Sequence, residues 1–324
     1  MQRRRTLAAL GALAILPLAA AQAPPRARPR IAIVMYGSPA NFRTREEAFK
    51  REMRTLGYGP GDIDYVPYAA YGQADLLAQV ARTVVDSRPD VILSAASPAT
   101  RALLKATSEI PIVIGADEEP VAEGYAQSLA RPGRNVTGVA GSVLEHVRRH
   151  MEVLLALAPR ITQVKALLNP ENPAYGAYRV RLEAASRPGM KLVFADAKND
   201  RQIERAFLDG GHEDKDGMLV MNDAFFYTER RFVTEAAARA KCPTVYPLRG
   251  FVEAGGLASY GPNREANFAR AAHYVDRILK GAHPADMAIE PSPRLELVLN
   301  RYALASLRIT PPAEIMKEAV VVGK

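Results

Sequence analysis

Beyond residue 30 unbroken apolar runs alternate with stretches whose apolar positions recur every three or four residues. Residues 31–35 form one such run, the pattern of a strand buried on both faces. Phe42, Phe49, Met53 and Leu56 follow at helical spacing, and Gly57 ends that helix. Strands are predicted over residues 63–66, 91–93 and 112–114, with helices carrying Leu77, Val80, Ala81 and Val84 and then residues 99–107 between them. A short strand over 135–139 follows the Arg131-Pro132-Gly133 turn. The rhythm then restarts with Leu144, Val147, Met151, Leu154 and Leu155, an amphipathic helix. Strands over 164–168, 192–195, 218–221 and 244–246 alternate with helices near 174–186, 200–209 and 225–240. The tail adds a strand ending at Tyr260, a helix carrying Phe268, Ala271, Val275 and Ile278, and a strand over 295–299.

This order predicts an α/β protein of two doubly wound lobes, each with about four parallel strands and right-handed crossovers. Residues 31–139 with 261–290 make the first lobe, and 140–260 with 291–324 the second. Only the rhythm recurs between the halves; no sequence repeat relates them. Several linkers between the lobes make a hinge. A ligand cleft is expected between them, at the C-terminal ends of the strands.

The N-terminus changes the picture. Arg3, Arg4 and Arg5 form a positive head, residues 7–20 are apolar, and Ala21-Gln22-Ala23 offers a small-x-small cleavage pattern. The apolar run is shorter than the roughly 20 residues of a membrane span. Residues 1–23 therefore read as a signal peptide and 24–30 as a Pro/Arg-rich leader. Arg4-Arg5-Thr6-Leu7 keeps the twin-arginine route open beside the general one. With no Cys near the cleavage site a soluble periplasmic protein, not anchored to the membrane, is expected. The formal net charge is +8, but Arg3, Arg4, Arg5, Arg26, Arg28 and Arg30 supply most of it. The body is close to neutral, which argues against nucleic acid as a partner. Cys242 is the single cysteine and reads as buried.

Four segments carry a family resemblance. They are Leu56-Gly57-Tyr58; the run from Ser128 through Arg131-Pro132-Gly133-Arg134-Asn135-Val136-Thr137 to Gly138; Leu168-Asn169-Pro170-Glu171-Asn172-Pro173; and Phe251 to Pro262, continuing through Tyr274 to Gly281. Together they resemble the ABC-transporter substrate-binding proteins that include tryptophan- and phenylalanine-binding members. The resemblance implies the type I periplasmic-binding-protein fold, a small-molecule ligand, transient docking on a membrane permease, and a monomer without cofactor. Asn222-Asp223-Ala224 resembles the Asn-Asp pair that sugar-binding relatives place in their cleft. The family's Gly-Asp-Pro after the fourth strand is replaced here by Gly115-Ala116-Asp117-Glu118-Glu119-Pro120.

Candidate ligand residues cluster where strands end. Ser97 reads as the N-cap of a helix with Pro98 at its first position, and that helix start, with Thr100, suits a carboxylate. Ser38 ends the first strand and either meets ligand or closes a turn. Asp117 ends the fourth strand and faces an ammonium; Glu118 and Glu119 read as rim. Asn169 and Asp223 follow strands of the second lobe and either bind a polar ligand or cap the next helix. Tyr175 and Tyr260 are candidate aromatic walls, with Tyr246 and Phe226.

No catalytic or metal residues are assigned. His146 and His150 stand four apart on a helix but with two arginines between them, and read as a solvated face. No nucleophile elbow or phosphate loop occurs. A transport-binding protein for an amino-acid-like ligand is the first reading. A periplasmic sensor, and more remotely a hydrolase or isomerase on the same scaffold, are the others. Export is expected to cleave after Ala23; N-terminal sequencing of the exported protein should start at Pro24, and an intact Met1 would refute this.

Overall fold

A computed structural model describes residues 28–323, except 118, 122, 142–143 and 209–214 and the side chains of Ala116, Asp117 and Glu145. The signal segment and all but the end of the leader lie outside the described residues. The first half runs β1 (Arg30–Met35), α1 (Pro39–Thr55), β2 (Asp64–Ala69), α2 (Leu77–Asp86), β3 (Val91–Ser94), α3 (Ser97–Ala106), β4 (Ile112–Asp117) and β5 (Val136–Ala140). The second runs α4 (Val147–Leu157), β6 (Gln163–Leu168), α5 (Tyr175–Ala185), β7 (Lys191–Asp196), α6 (Asp200–Leu208), β8 (Asp216–Val220), α7 (Ala224–Thr228), α8 (Arg230–Arg239), β9 (Thr244–Tyr246), α9 (Arg249–Glu253) and β10 (Ala258–Pro262). The tail comprises α10 (Arg264–Leu279), β11 (Glu290–Pro291), β12 (Leu295–Asn300), α11 (Arg301–Ser306), α12 (Ala313–Glu318) and β13 (Ala319–Val322).

Two sheets result. The first has the order β11-β5-β4-β3-β1-β2, the second β13-β12-β10-β9-β8-β6-β7. All pairings are parallel except β10 with β12. Alternate residues of β1 explain its unbroken apolar run. Ile31, Ile33 and Met35 pack with Phe42, Phe49 and Phe268 on one face. Ala32 and Val34 pack with Leu77 and Leu103 on the other. In β6, Val164, Ala166 and Leu168 face Met151, Leu154 and Tyr178, while Leu167 faces Phe207 and Val233. Helices thus cover both faces of each sheet, as parallel pairing requires.

The chain passes between the sheets three times, after β5, after β10 and after β11. β5 reaches Ala140 and β10 reaches Pro262, slightly past the lobe limits read from sequence. Arg30 belongs to β1 and not to the leader: its Nε donates to Asp64 at 2.7 Å and its backbone N–H to Asp90 at 2.6 Å. The helix predicted over 225–240 is two helices, divided at Glu229 (φ −87°, ψ 20°). No Gly or Pro marks that break, so periodicity passes over it. The short C-terminal helices and edge strand β13 were not foreseen either.

The Arg-Pro-Gly crossover has a steric cause at its end. Gly138 sits at φ +130°, and a Cβ there would lie 2.2 Å from the Ile114 carbonyl oxygen of β4. Only glycine lets the two backbones approach so closely. Gly138→Ala should therefore cost about 3 kcal/mol or more, measured as a fall in the urea midpoint at unchanged slope; a loss near zero would contradict this packing.

Candidate functional site

In each sheet the strand order reverses beside the first strand, between β1 and β3 and between β6 and β8. Crossovers leave such neighbours toward opposite faces, which opens a crevice beyond their C-terminal ends. The loops after these four strands meet across one cavity of about 410 Å³, within the range of small-ligand sites. Tyr36, Gly37 and Ser38 follow β1, and residues 95–98 follow β3. Asn169, Glu171 and Asn172 follow β6, and Asn222, Asp223 and Phe225 follow β8. Arg45 from α1, Glu119 and Glu123 after β4, Lys198 after β7, Tyr227 of α7 and Arg264 at the start of α10 complete the walls.

On the first-lobe side Ser38 occupies the N-cap position of α1 without a side-chain capping bond. Helix α3 opens one residue earlier than read. Ala96 is its extended N-cap residue (φ −170°, ψ 148°), and its carbonyl accepts the Thr100 N–H at 3.1 Å; Ser97 and Pro98 are the first helical positions. Ser97 lines the cavity, but Thr100 does not. The Thr100 side chain is buried beneath the loop, its hydroxyl 2.7 Å from that of Ser94. The Asp117 backbone ends β4 as expected, while its side chain lies outside the described residues. Glu119 is half-buried and lines the cavity, deeper than the rim position read for it. Glu123 is paired with Arg101 and accepts the Tyr125 hydroxyl.

On the second-lobe side Asp223 is the focus. Its Oδ1 accepts Asn169 Nδ2 at 3.2 Å and the N–H groups of Phe225 and Phe226 at 2.9 and 3.4 Å; its Oδ2 accepts Asn172 Nδ2 at 2.8 Å. The capping role and the cavity position therefore coexist. A carboxylate offers about four lone-pair sites, so Oδ2 keeps room for a further donor. The phenol of Tyr36, from the other lobe, titrates above its ordinary value because of burial and, second, the nearby Asp223 charge. Tyr175 lies outside the cavity and donates to Asp196 at 3.0 Å. Tyr260 lies on the helix α4 side of its sheet, edge-on to His146 and His150. Phe226 and Tyr246 are core. The aromatic walls are instead Tyr36, Phe42, Phe225 and Tyr227.

The residue that sequence reading passed over is Arg45. It stands on the apolar stripe of α1 between Phe42 and Phe49, and it is 7% exposed. A charge on that stripe was the available signal. Its described hydrogen bond goes to the Asn41 carbonyl. Burial, opposed mainly by the Tyr227 oxygen, pulls its guanidinium down to about 10. The lobes touch beside it: Arg230 Nη2 of α8 donates to Asn41 Oδ1 of α1 at 2.7 Å.

His150 corrects the solvated-face reading. It is 1% exposed, its Nε2 lies 2.6 Å from the Tyr260 carbonyl, and its Nδ1 is buried without a described partner. The helix turns this residue inward with Val147, Met151 and Leu154 onto the sheet. Among the described residues no group of three or more His, Cys, Asp and Glu is placed to hold a metal. Cys242 is buried, as read.

Two doubly wound lobes with a cavity at both switch points have the architecture of a two-lobed ligand-binding protein. Residues 31–322 match the family model described as ABC transporter substrate binding protein, and the chain belongs to that family. A tyrosine-binding protein of Clostridioides difficile is 21% identical over 267 residues, 81% of this chain and 76% of the relative. A conserved domain protein of Vibrio cholerae superposes with a TM-score of 0.82 at 26% identity, covering 91% of this chain and 99% of its own. An ABC domain of Streptococcus pneumonia in complex with L-Trp gives the same TM-score at 21% identity, covering 91% and 100%. No helix among the described residues is long and apolar enough to cross a membrane.

Burial lowers the His150 imidazole from 6.5 to about 4. The fold thus accepts only its neutral form. Above pH 6.5 the group is neutral folded and unfolded and contributes nothing; as pH falls from 6.5 toward 4 only the unfolded chain binds the proton. Stability should drop by about 3 kcal/mol over that window. Urea unfolding of His150→Leu beside the parent should lack this component; parallel pH profiles would refute it.

Proposed function

We propose that this chain is the extracytoplasmic solute-binding component of an ABC importer, and that it closes its lobes over an amino-acid-like ligand. The observation that carries the reading is that Arg45 and Arg264 on one side of the cavity and Asp223 on the other make no ion pair among the described residues, whereas Arg101 with Glu123 and Lys198 with Glu171 are paired within their own walls. Arg45 is a buried guanidinium that makes no ion-pair contact among the described residues, Glu265 acting on it only from beyond that distance, and it lines the cavity beside Arg264. A buried, unpaired charge is costly to the fold unless something neutralises it. A ligand carboxylate at Arg45 and Arg264, with the start of α3 and Ser97 beside it, supplies that partner. Asp223 stands on the opposite wall, held by Asn169 and Asn172, with Oδ2 open to an ammonium. Tyr36 and Tyr227 flank the space between with flat apolar surface.

The similarity to a tyrosine-binding protein and to a domain holding L-Trp supports the same class of ligand. In this reading Ser38, Ser97, Asn169 and Asp223 keep their assigned roles, whereas Thr100 and Tyr260 act through the framework. The closed form then docks on a membrane permease, in the compartment that the N-terminal segment implies.

L-tyrosine and L-tryptophan are the first compounds to titrate. By calorimetry one of them should bind, tyramine should bind at least about tenfold more weakly, and both Arg45→Met and Asp223→Asn should weaken the amino acid about tenfold or more. Binding of tyramine as tight as that of tyrosine would overturn the carboxylate assignment. Unchanged affinity in Asp223→Asn would overturn the ammonium assignment.

A further inference from the structure

Three arginines surround one aromatic ring at the junction of the lobes. The guanidinium carbons of Arg45, Arg230 and Arg264 lie 5.9, 5.0 and 5.1 Å from the Tyr227 ring centroid. They come from both lobes. Arg45 belongs to α1 of the first lobe, Arg264 to the start of α10, which packs against α1 on the same sheet, and Arg230 to α8 of the second lobe. Arg45 bonds to the Asn41 carbonyl, and Arg230 to the Tyr227 carbonyl at 3.0 Å and to Asn41 Oδ1. Arg264 Nε is buried without a described partner. None of the three forms an ion pair among the described residues. The neighbouring carboxylates offset part of this charge without pairing with the three: Glu265 accepts Thr44 at 2.8 Å and attracts Arg45 from beyond ion-pair distance, and Glu253 and Glu296 stand 2.7 and 3.6 Å from Arg249.

Arg45 and Arg264 stand on helices that pack together on the first sheet, so the Arg230 charge of the second lobe approaches that pair only when the lobes come together. The Tyr227 face and the Asn41 bond offset part of that cost, but like charges at partly buried sites repel at several times their strength in water. We propose that this split arginine cluster gates closure by charge: it holds the empty protein open and admits the closed state when a ligand carboxylate neutralises it. The cleft then selects anionic over cationic ligands at the closing step as well as by direct contact. Arg45 and Arg264 face the ligand cavity, while Arg230 and Arg249 line a smaller cavity of about 170 Å³ behind it that shares Asn41, Arg45, Tyr227 and Arg264 with the first. This gate rests on the reading of the cleft as a carboxylate site between closing lobes.

The test measures closure without ligand. Dyes on Arg82→Cys in the first lobe and Arg201→Cys in the second report the distance between lobes, with the buried Cys242 left in place. In empty protein, Arg45→Met and Arg264→Met should each raise the closed population about fivefold. Added salt should close the empty parent protein in the same direction, a measurement that needs no variant to fold. L-tyrosine should close the parent, and tyramine should not. Closed fractions that stay at the parent's low-salt level in both variants and across the salt series overturn the gate, whether or not L-tyrosine binds. If the variants and salt close the empty protein while neither L-tyrosine nor L-tryptophan binds, the gate stands and the ligand reading fails.

Discussion

A parallel sheet returns the chain to the same end after every strand, and this constraint organises the molecule. Each return needs a crossover, and each crossover needs a helix to bury its apolar face. Where the order of strands reverses, successive helices leave in opposite directions and a crevice remains that no side chain is obliged to fill. The chain builds this arrangement twice, with β1 beside β3 and β6 beside β8. Three crossings then set one crevice against the other. The cavity therefore lies at the one place where neither lobe can complete its own packing.

Electrostatics gives that place its chemistry. The second lobe brings a carboxylate already ordered by four donors, so Asp223 is fixed in position before any ligand arrives. The first lobe brings Arg45, inserted into an apolar stripe and partnered by a backbone carbonyl. One wall is satisfied and the other is not. An ion pair between Arg45 and a carboxylate of the protein would remove the asymmetry, and with it the basis for the proposed preference for an anion. The arginines that gather on Tyr227 from both lobes place the same chemistry at the junction of the lobes.

The crossings between the lobes are framed by close contacts. Gly138 and Gly261 mark two of the crossing strands, and a Cβ on either would strike a neighbouring carbonyl oxygen, of Ile114 at 2.2 Å or of Pro247 at 2.1 Å. His150 reaches the Tyr260 carbonyl on β10 from α4, so the first crossing is tied to the second. In the proposed closure, motion between the lobes falls to the few residues that link strands of one sheet to elements of the other, which is how hinged closure operates in general.

Hydrophobic period and strand-end position by themselves determined the doubly wound lobes, the order of most of their elements and the loops that border the cavity. Short apolar runs such as 31–35, alternating with helical patterns, fit strands buried on both faces, and the cavity positions of Ser38, Ser97, Asn169 and Asp223 follow from where such strands stop. Side-chain direction was not legible in this way. Thr100 sits within a turn of Ser97 yet points to Ser94, and Tyr260 ends a strand yet leans on α4. Period told that α4 is amphipathic but not that His150 falls on its buried side, because a polar residue on a core face reads as surface until the partner carbonyl is in place. Arg45 and Tyr227 became site residues only when α1 and α7 met across the cleft, more than 180 positions apart in the chain. Local periodicity is a property of one element; the polarity of a cavity is a property of several, and only tertiary packing brings them to the same point.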